Sequence, residues 1–232
     1  MSYLKTILRK INHWRYNYIS QKKFIILASA TVGFLTGLAA VTLKNITFTI
    51  EKVLEQGIVF SQNQLYFILP VIGLLLVYLL RKYIFKKRVF PETPAYIKRA
   101  IPSVLYALLR QNGRISHKRI YFNLFAAPLT VGFGGSVGLL GPTIAVGSAI
   151  SSTFSRVLLI DKKTRTLLIA CATSGAVATI FKSPIAALVF AIEVFSLDLT
   201  FTALVPLLIA SISSVLTSYF FMGQEVLFNF DV

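Results

Sequence analysis

The sequence predicts an all-α membrane protein, multi-pass, with broken and re-entrant helices. Three observations carry this. The 232 residues are 56% hydrophobic and only 14% charged, with a mean hydropathy of +0.74, far too apolar for a soluble domain of this size. Apolar runs alternate with short basic clusters, and five glycines fall within ten residues at 132–141, just ahead of Pro142.

The net charge of +16 does not describe a nucleic-acid surface, because the basic residues are scattered in clusters between apolar runs. They read as topology signals. The clusters are Lys5 to Lys23, Arg81 to Arg88, Lys98 with Arg99, Arg110 to Arg119, and Lys162, Lys163 and Arg165. The positive-inside rule puts all of them, and the amino terminus, on the cytoplasmic face. Residues 1–23 form a basic cytoplasmic segment, a surface helix anchored by Trp14, Tyr16 and Tyr18, and 24–232 form the transmembrane domain. The setting is a multi-pass protein of a bacterial inner (plasma) membrane, with the lipid bilayer as first partner. The single cysteine, Cys171, lies in an apolar run and is read as packing.

The first crossing runs from Phe24 to about Ile50, with Gly33, Gly37, Ala39 and Ala40 making a face that another helix can approach closely. Glu51, Lys52 and Glu55 open an extracytoplasmic polar segment, and Leu65 to Leu80 returns the chain to the basic residues at Arg81. Pro91, Pro94 and Pro102 follow. Spanning takes ~20 apolar residues, so Val104 to Leu109 can only be a partial or re-entrant helix. Ile120 to Val131 runs into the glycine cluster, where Pro142 suits the start of a new helix. Beyond a basic loop at Lys162 to Arg165, Leu167 to Ile180 and Ile185 to Phe195 are short and divided by Lys182, Ser183 and Pro184, and Phe201 to Phe221 is long enough to cross.

Broken helices matter because backbone N–H groups cannot be left facing lipid, so non-helical backbone at membrane depth implies a protein-lined or watery path. A helix amino terminus offers free N–H donors and about half a positive charge. Two such termini converging hold an anion without binding it too tightly to leave. The candidate turns are Arg99, Ala100, Ile101 and Pro102, opening a helix at Ser103, and Gly138, Leu139, Leu140, Gly141 and Pro142, opening one at Thr143. Tight helix packing is the competing explanation for any single glycine.

Residues 132 to 147, Gly-Phe-Gly-Gly-Ser-Val-Gly-Leu-Leu-Gly-Pro-Thr-Ile-Ala-Val-Gly, resemble the segment of the CLC family of chloride channels and proton-coupled transporters that ends in Gly-Lys/Arg-Glu-Gly-Pro. Ala-Thr-Ser-Gly-Ala, Phe-Lys-Ser-Pro-Ile-Ala-Ala and Phe-Ala-Ile-Glu, within Leu167 to Phe195, are similar to the stretch that follows, and Ile101-Pro102 falls at the family's upstream Gly-Ser-Gly-Ile-Pro. The resemblance implies one inverted-repeat half of a CLC-like fold. It also implies passive conduction of chloride or another small anion as the transported ligand, with no cofactor, and a homodimer or a second-half polypeptide as partner. Leu140 stands where the family has its gating glutamate, and Val194, beside Glu193, where similar exchangers have an internal one, so a protonatable gate is not expected. Arg99 falls where the family has an anion-holding serine, and with Lys98 it is read as a cytoplasmic side chain snorkelling away from a pore.

Only the first repeat of the family is matched, which leaves a second reading from another class: a non-conducting fragment, scaffold or accessory subunit needing a second half-chain. An enzyme is not expected, nor a metal site, since His13 and His117 lie in basic segments with no metal-ligand spacing, and His117 is read as a solvated loop residue. Glu193 is the one acid in a membrane-depth apolar run. It is either functional or neutralised by a partner such as Lys182 or a backbone donor.

Overall fold

A computed structural model describes residues 20–58, 68–83, 100–196 and 200–223. These form eight helices and no strand: α1 Gln21–Ile58, α2 Leu69–Tyr83, α3 Ala100–Arg110, α4 Lys118–Gly132, α5 Leu140–Val157, α6 Lys162–Phe181, α7 Pro184–Phe195 and α8 Phe201–Met222. The anchors Trp14, Tyr16 and Tyr18, together with Arg99, Lys98, Pro91, Pro94, Ser61 and His13, lie outside the described residues.

Helix α6 is the centre. Every residue from Leu168 to Thr179 is buried, which suits a run of small residues apolar on all sides. It packs against α1, α5, α7 and α8, while α2 leans on α4 and α3 on α5. The α1 face named from the sequence meets α8: a Cβ on Gly33 would run into the Ala210 backbone, and one on Gly37 would lie 2.9 Å from the Ser214 carbonyl. Hydroxyls tie the same region together. Ser214 Oγ donates to the Gly175 carbonyl at 2.8 Å and lies 2.6 Å from Thr179 Oγ1, and Ser148 and Thr173 meet at 3.2 Å. Such bonds between helices, each of order 1 kcal/mol, stand in for a hydrophobic drive that lipid does not supply.

Helices α1, α6 and α8 are long and apolar enough to cross a membrane, whereas α3 and α7, of 11 and 12 residues, are not. Two expectations about boundaries and one about a side-chain pair are settled here. Glu51 and Lys52 do not leave the first helix: α1 continues to Ile58 over 38 residues, about 57 Å at 1.5 Å per residue, far beyond the ~30 Å of hydrocarbon. Lys162, Lys163 and Arg165 are not a loop but the first turn of α6, which starts early because Asp161 caps it, accepting from the Thr164 N–H at 3.1 Å. Lys182 does not neutralise Glu193. It ends α6 in a left-handed conformation with φ 51°, donates to the Gly223 carbonyl and lies 4.5 Å from the Tyr219 ring, while exposed Glu193 sits near the opposite end of α7.

Candidate functional site

The helix break foreseen at the glycine cluster lies between Gly132, the last residue of α4, and Leu140, the first of α5. The end of α4 is closed by its own backbone: the N–H of Gly134 donates to the Val131 carbonyl at 2.8 Å and that of Gly135 to the Thr130 carbonyl at 2.9 Å. Three of the five glycines have steric reasons. Gly134 adopts φ +84°, a Cβ on Gly135 would collide with the Thr130 carbonyl, and one on Gly132 would come within 2.7 Å of Ile50. The other two do not. Gly138 has nothing within 4 Å of a built Cβ, and Gly141 has only an ordinary 3.4 Å contact. What these two leave bare is backbone.

The start of α5 differs from the sequence expectation by one turn. The helix opens at Leu140, not Thr143, with Leu139 as its cap, and the first intrahelical bond runs from the Thr143 N–H to the Leu139 carbonyl at 3.0 Å. Pro142 is therefore the third residue, where no N–H is needed. The N–H groups of Gly138, Leu139, Leu140 and Gly141 meet no backbone acceptor among the described residues. Leu140 itself packs inward, beside Ile101, against the core around Val104 and Ile144.

The second predicted turn is close at hand. Helix α3 already includes Ala100, rather than opening at Ser103, so Ala100, Ile101 and Pro102 belong to its first turn. The 3.4 Å neighbour of Gly141 is the Cβ of Ala100. The amino-terminal turns of the half-length α3 and of α5 thus meet at Ala100 and Gly141. Arg99, the remaining site candidate, is outside the described residues.

The sequence reading missed two cations here. Arg119, taken as part of a cytoplasmic cluster, is only 5% exposed: as the second residue of α4 it turns towards α3, and its Nη1 donates to Ser103 Oγ at 3.1 Å. Ser103 Oγ in turn donates to the Ala100 carbonyl at 2.8 Å, so the guanidinium is coupled to the first turn of α3. Lys44, hidden in the long apolar run of α1, lines a cavity of about 310 Å³ together with Gly138, Leu139, Leu140, Thr47, Glu51, Thr143 and Phe181. Ala100, Ile101 and Gly141 are not on its wall. A larger apolar groove of about 480 Å³ between α1 and α8 is lined by neither terminus, and its polar members are spent, Ser213 on the Ala30 carbonyl and Thr217 on the Ser213 carbonyl.

A family profile described as voltage gated chloride channel matches residues 72–232, which include the α4–α5 break and both helix-start prolines. The chain belongs to this family. Among solved structures, a slow cyanobacterial Cl⁻/H⁺ antiporter matches with a TM-score of 0.70 at 19% identity, over 90% of this chain and 48% of the antiporter chain. A CLC-type fluoride/proton antiporter matches with a TM-score of 0.67 at 26% identity, over 87% of this chain and 47% of the other. The chain thus spans about half the length of the solved structures it matches. No curated protein sequence matches it. Family membership, with three helices long and apolar enough to cross, places the protein in a membrane.

Proposed function

We propose that the chain forms one half of a passive pathway for chloride or a similar small anion, with the α5 terminus at Gly138 to Gly141 and the first turn of α3 as its anion-holding elements. The observation that carries this reading is the row of N–H groups from Gly138 to Gly141 with no backbone acceptor among the described residues, set where α3 and α5 meet. Such donors stabilise an anion without a full opposing charge, which keeps its release fast. Leu140 is neutral, so it neither competes with the anion nor carries a proton, and Val194 is equally unable to relay one. Transport is then driven by the anion gradient alone. The complementary half, supplied by a homologous partner segment, closes the site from the other side, and the basic clusters set the amino terminus and residues 111–117 in the cytoplasm.

Flux through liposomes holding the chain with a complementary half tests the reading. The reversal potential should follow the chloride gradient and ignore a superimposed proton gradient, and a steady shift with the proton gradient would contradict it. Replacing Leu140 with glutamate should add pH-dependent block, since a charged carboxylate competes for the same donors and a protonated one withdraws. Thiol labelling checks the topology: His117→Cys should react only from inside and Gln56→Cys only from outside. The rival reading, a subunit without transport of its own, draws on the half-length match and on the neutral residue at position 140. It predicts no chloride-selective flux even when the complementary half is present.

A further inference from the structure

The apolar groove between α1 and α8 continues into a polar cavity. Phe221, on the wall of the groove, also lines a space of about 450 Å³ bounded by Asn45, Phe48, Thr49, Lys52 and Met222. The two helices run parallel, since Gly33 meets Ala210 and Gly37 meets Ser214, so this space lies towards the carboxy-terminal ends of both. Phe34, Asn45 and Lys52 are three turns and then two turns apart, which sets them on one stripe of α1. The seam is apolar along its length and polar at one end.

The place of that change matches one leaflet of a bilayer. A span opening at Phe24 uses up ~30 Å of hydrocarbon in ~20 residues, near Lys44, so Asn45 stands at headgroup level. From Phe34 to Asn45 the helix rises about 16 Å, and one acyl layer is half of ~30 Å. Helix α8 ends at the same level, at Met222, with Tyr219 4.5 Å from the Lys182 ammonium, an aromatic and a base as expected at an interface. In the apolar part the Ser213 and Thr217 hydroxyls are committed to carbonyls, which leaves hydrocarbon to be met. In the polar part Thr49 donates to the Asn45 carbonyl at 2.8 Å, leaving the Asn45 amide and the exposed Lys52 ammonium as donors. No acid is among the described residues that line it. Two donors, one of them charged, above an apolar trough fit an acceptor-rich anion joined to a hydrocarbon chain.

We propose that this seam binds one anionic glycerophospholipid from the leaflet opposite the amino terminus, an acyl chain lying between Phe34 and Leu216 and the phosphate held by Lys52 and Asn45. The inference needs the membrane setting but not conduction. Native mass spectrometry of the full chain in detergent, titrated with dioleoyl phosphatidylglycerol or dioleoyl phosphatidylcholine, tests it. The parent protein should retain one phosphatidylglycerol in preference to phosphatidylcholine. Lys52→Gln should cut that preference about fivefold, the share of one basic residue beside anionic lipid, and Lys52→Arg should keep it. Lys82→Gln, an exposed lysine at the end of α2, should leave it unchanged. Leu216→Trp, which fills the groove, should weaken retention of both lipids, and glycerol 1-phosphate, a headgroup without chains, should not compete. Equal retention of the two lipids by the parent protein, or a preference that survives Lys52→Gln, overturns the proposal. Competition by glycerol 1-phosphate does so too, because the site would then take a free phosphate. A second copy seated in the groove would appear as a dimer that Leu216→Trp dissociates with lipid retention unchanged, and that result also overturns it. Lys52 is exposed, so its variants keep the fold, and if Leu216→Trp fails to insert the lysine variants decide alone.

Discussion

Two helix breaks in this protein are built in opposite ways. Both carry glycine, and each stands next to the start of a new helix, at residues 111–117 and at 133–139. In the first, polar groups are consumed by the protein itself. The Gly113 N–H donates to the Ala107 carbonyl at 2.8 Å. Ser152 Oγ donates to the Gly113 carbonyl at 2.7 Å and accepts the Ile115 N–H at 2.9 Å. Arg156 and Arg165 donate to the Ile115 and Asn112 carbonyls at 3.0 and 3.2 Å. In the second, the closing bonds stop at Val137, and the following four N–H groups are left without backbone acceptors among the described residues. The comparison teaches that a broken helix is evidence of a site only where its donors remain to be used. Basic residues beside the first break are partly structural pins, not merely topology signals.

The largest expected effect falls on the saturated break. Ser152→Ala removes both a donor and an acceptor from a fully buried position, stranding the Gly113 carbonyl and the Ile115 N–H. Each buried orphan costs about 1–3 kcal/mol, so thermal unfolding in detergent should show a loss of roughly 2–4 kcal/mol with monodispersity reduced. Gly132→Ala should come next. Its Cβ meets Ile50 at 2.7 Å, an overpacking that costs about 1–3 kcal/mol. Were Ser152→Ala as stable as the parent protein, the bonded account of the first break would fail.

A smaller effect is expected at Asp161, outside both breaks, where the cap holds two lysines at the unfavourable positive end of α6. Asp161→Ala should cost about 1 kcal/mol. Partial burial works to raise the Asp161 pKa, but hydrogen bonds from the backbone and side chain of Thr164, its own N–H and the Lys163 N–H outweigh it and hold the group below 3.8. Because the folded value is the lower one, this stabilisation is present above the unfolded pKa and is lost as pH falls through the folded one. Asp161→Asn should accordingly flatten the acid side of the stability profile and change little at neutral pH. Smallest of all should be Gly138→Ala, which meets open space and should alter stability by no more than about 0.5 kcal/mol. Any loss of anion flux in that variant would then report on the site.

Much of this was legible beforehand, and the failures have a common cause. The half-length α3, the α4–α5 break and the division of α6 from α7 at Lys182 to Pro184 follow from run length and proline placement, which act locally. The meeting of the α3 and α5 turns at Ala100 and Gly141 is a tertiary contact, argued from the sequence only as a pairing of two proline-bearing helix starts. Arg119 and Lys44 did not follow. Counting charges along the chain assigns Arg119 to a cytoplasmic cluster, yet its burial depends on which face of α4 meets Ser103, a tertiary fact. Lys44 was masked by the apolar residues around it, although a lone lysine inside a span was itself the signal. The helix outlasts the apolar stretch at Glu51 for a related reason: polarity ends the stretch, but nothing there breaks the helix.

The contrast between the breaks can be read directly by amide hydrogen exchange with the reconstituted protein, comparing peptides that cover 133–143 and 109–117 with and without chloride. The account predicts that the first exchanges readily in chloride-free buffer and is slowed by chloride at Gly138 to Gly141, while the second is slow throughout and indifferent to the anion. Exchange at 138–141 that does not respond to chloride, or a chloride response confined to 109–117, would contradict it.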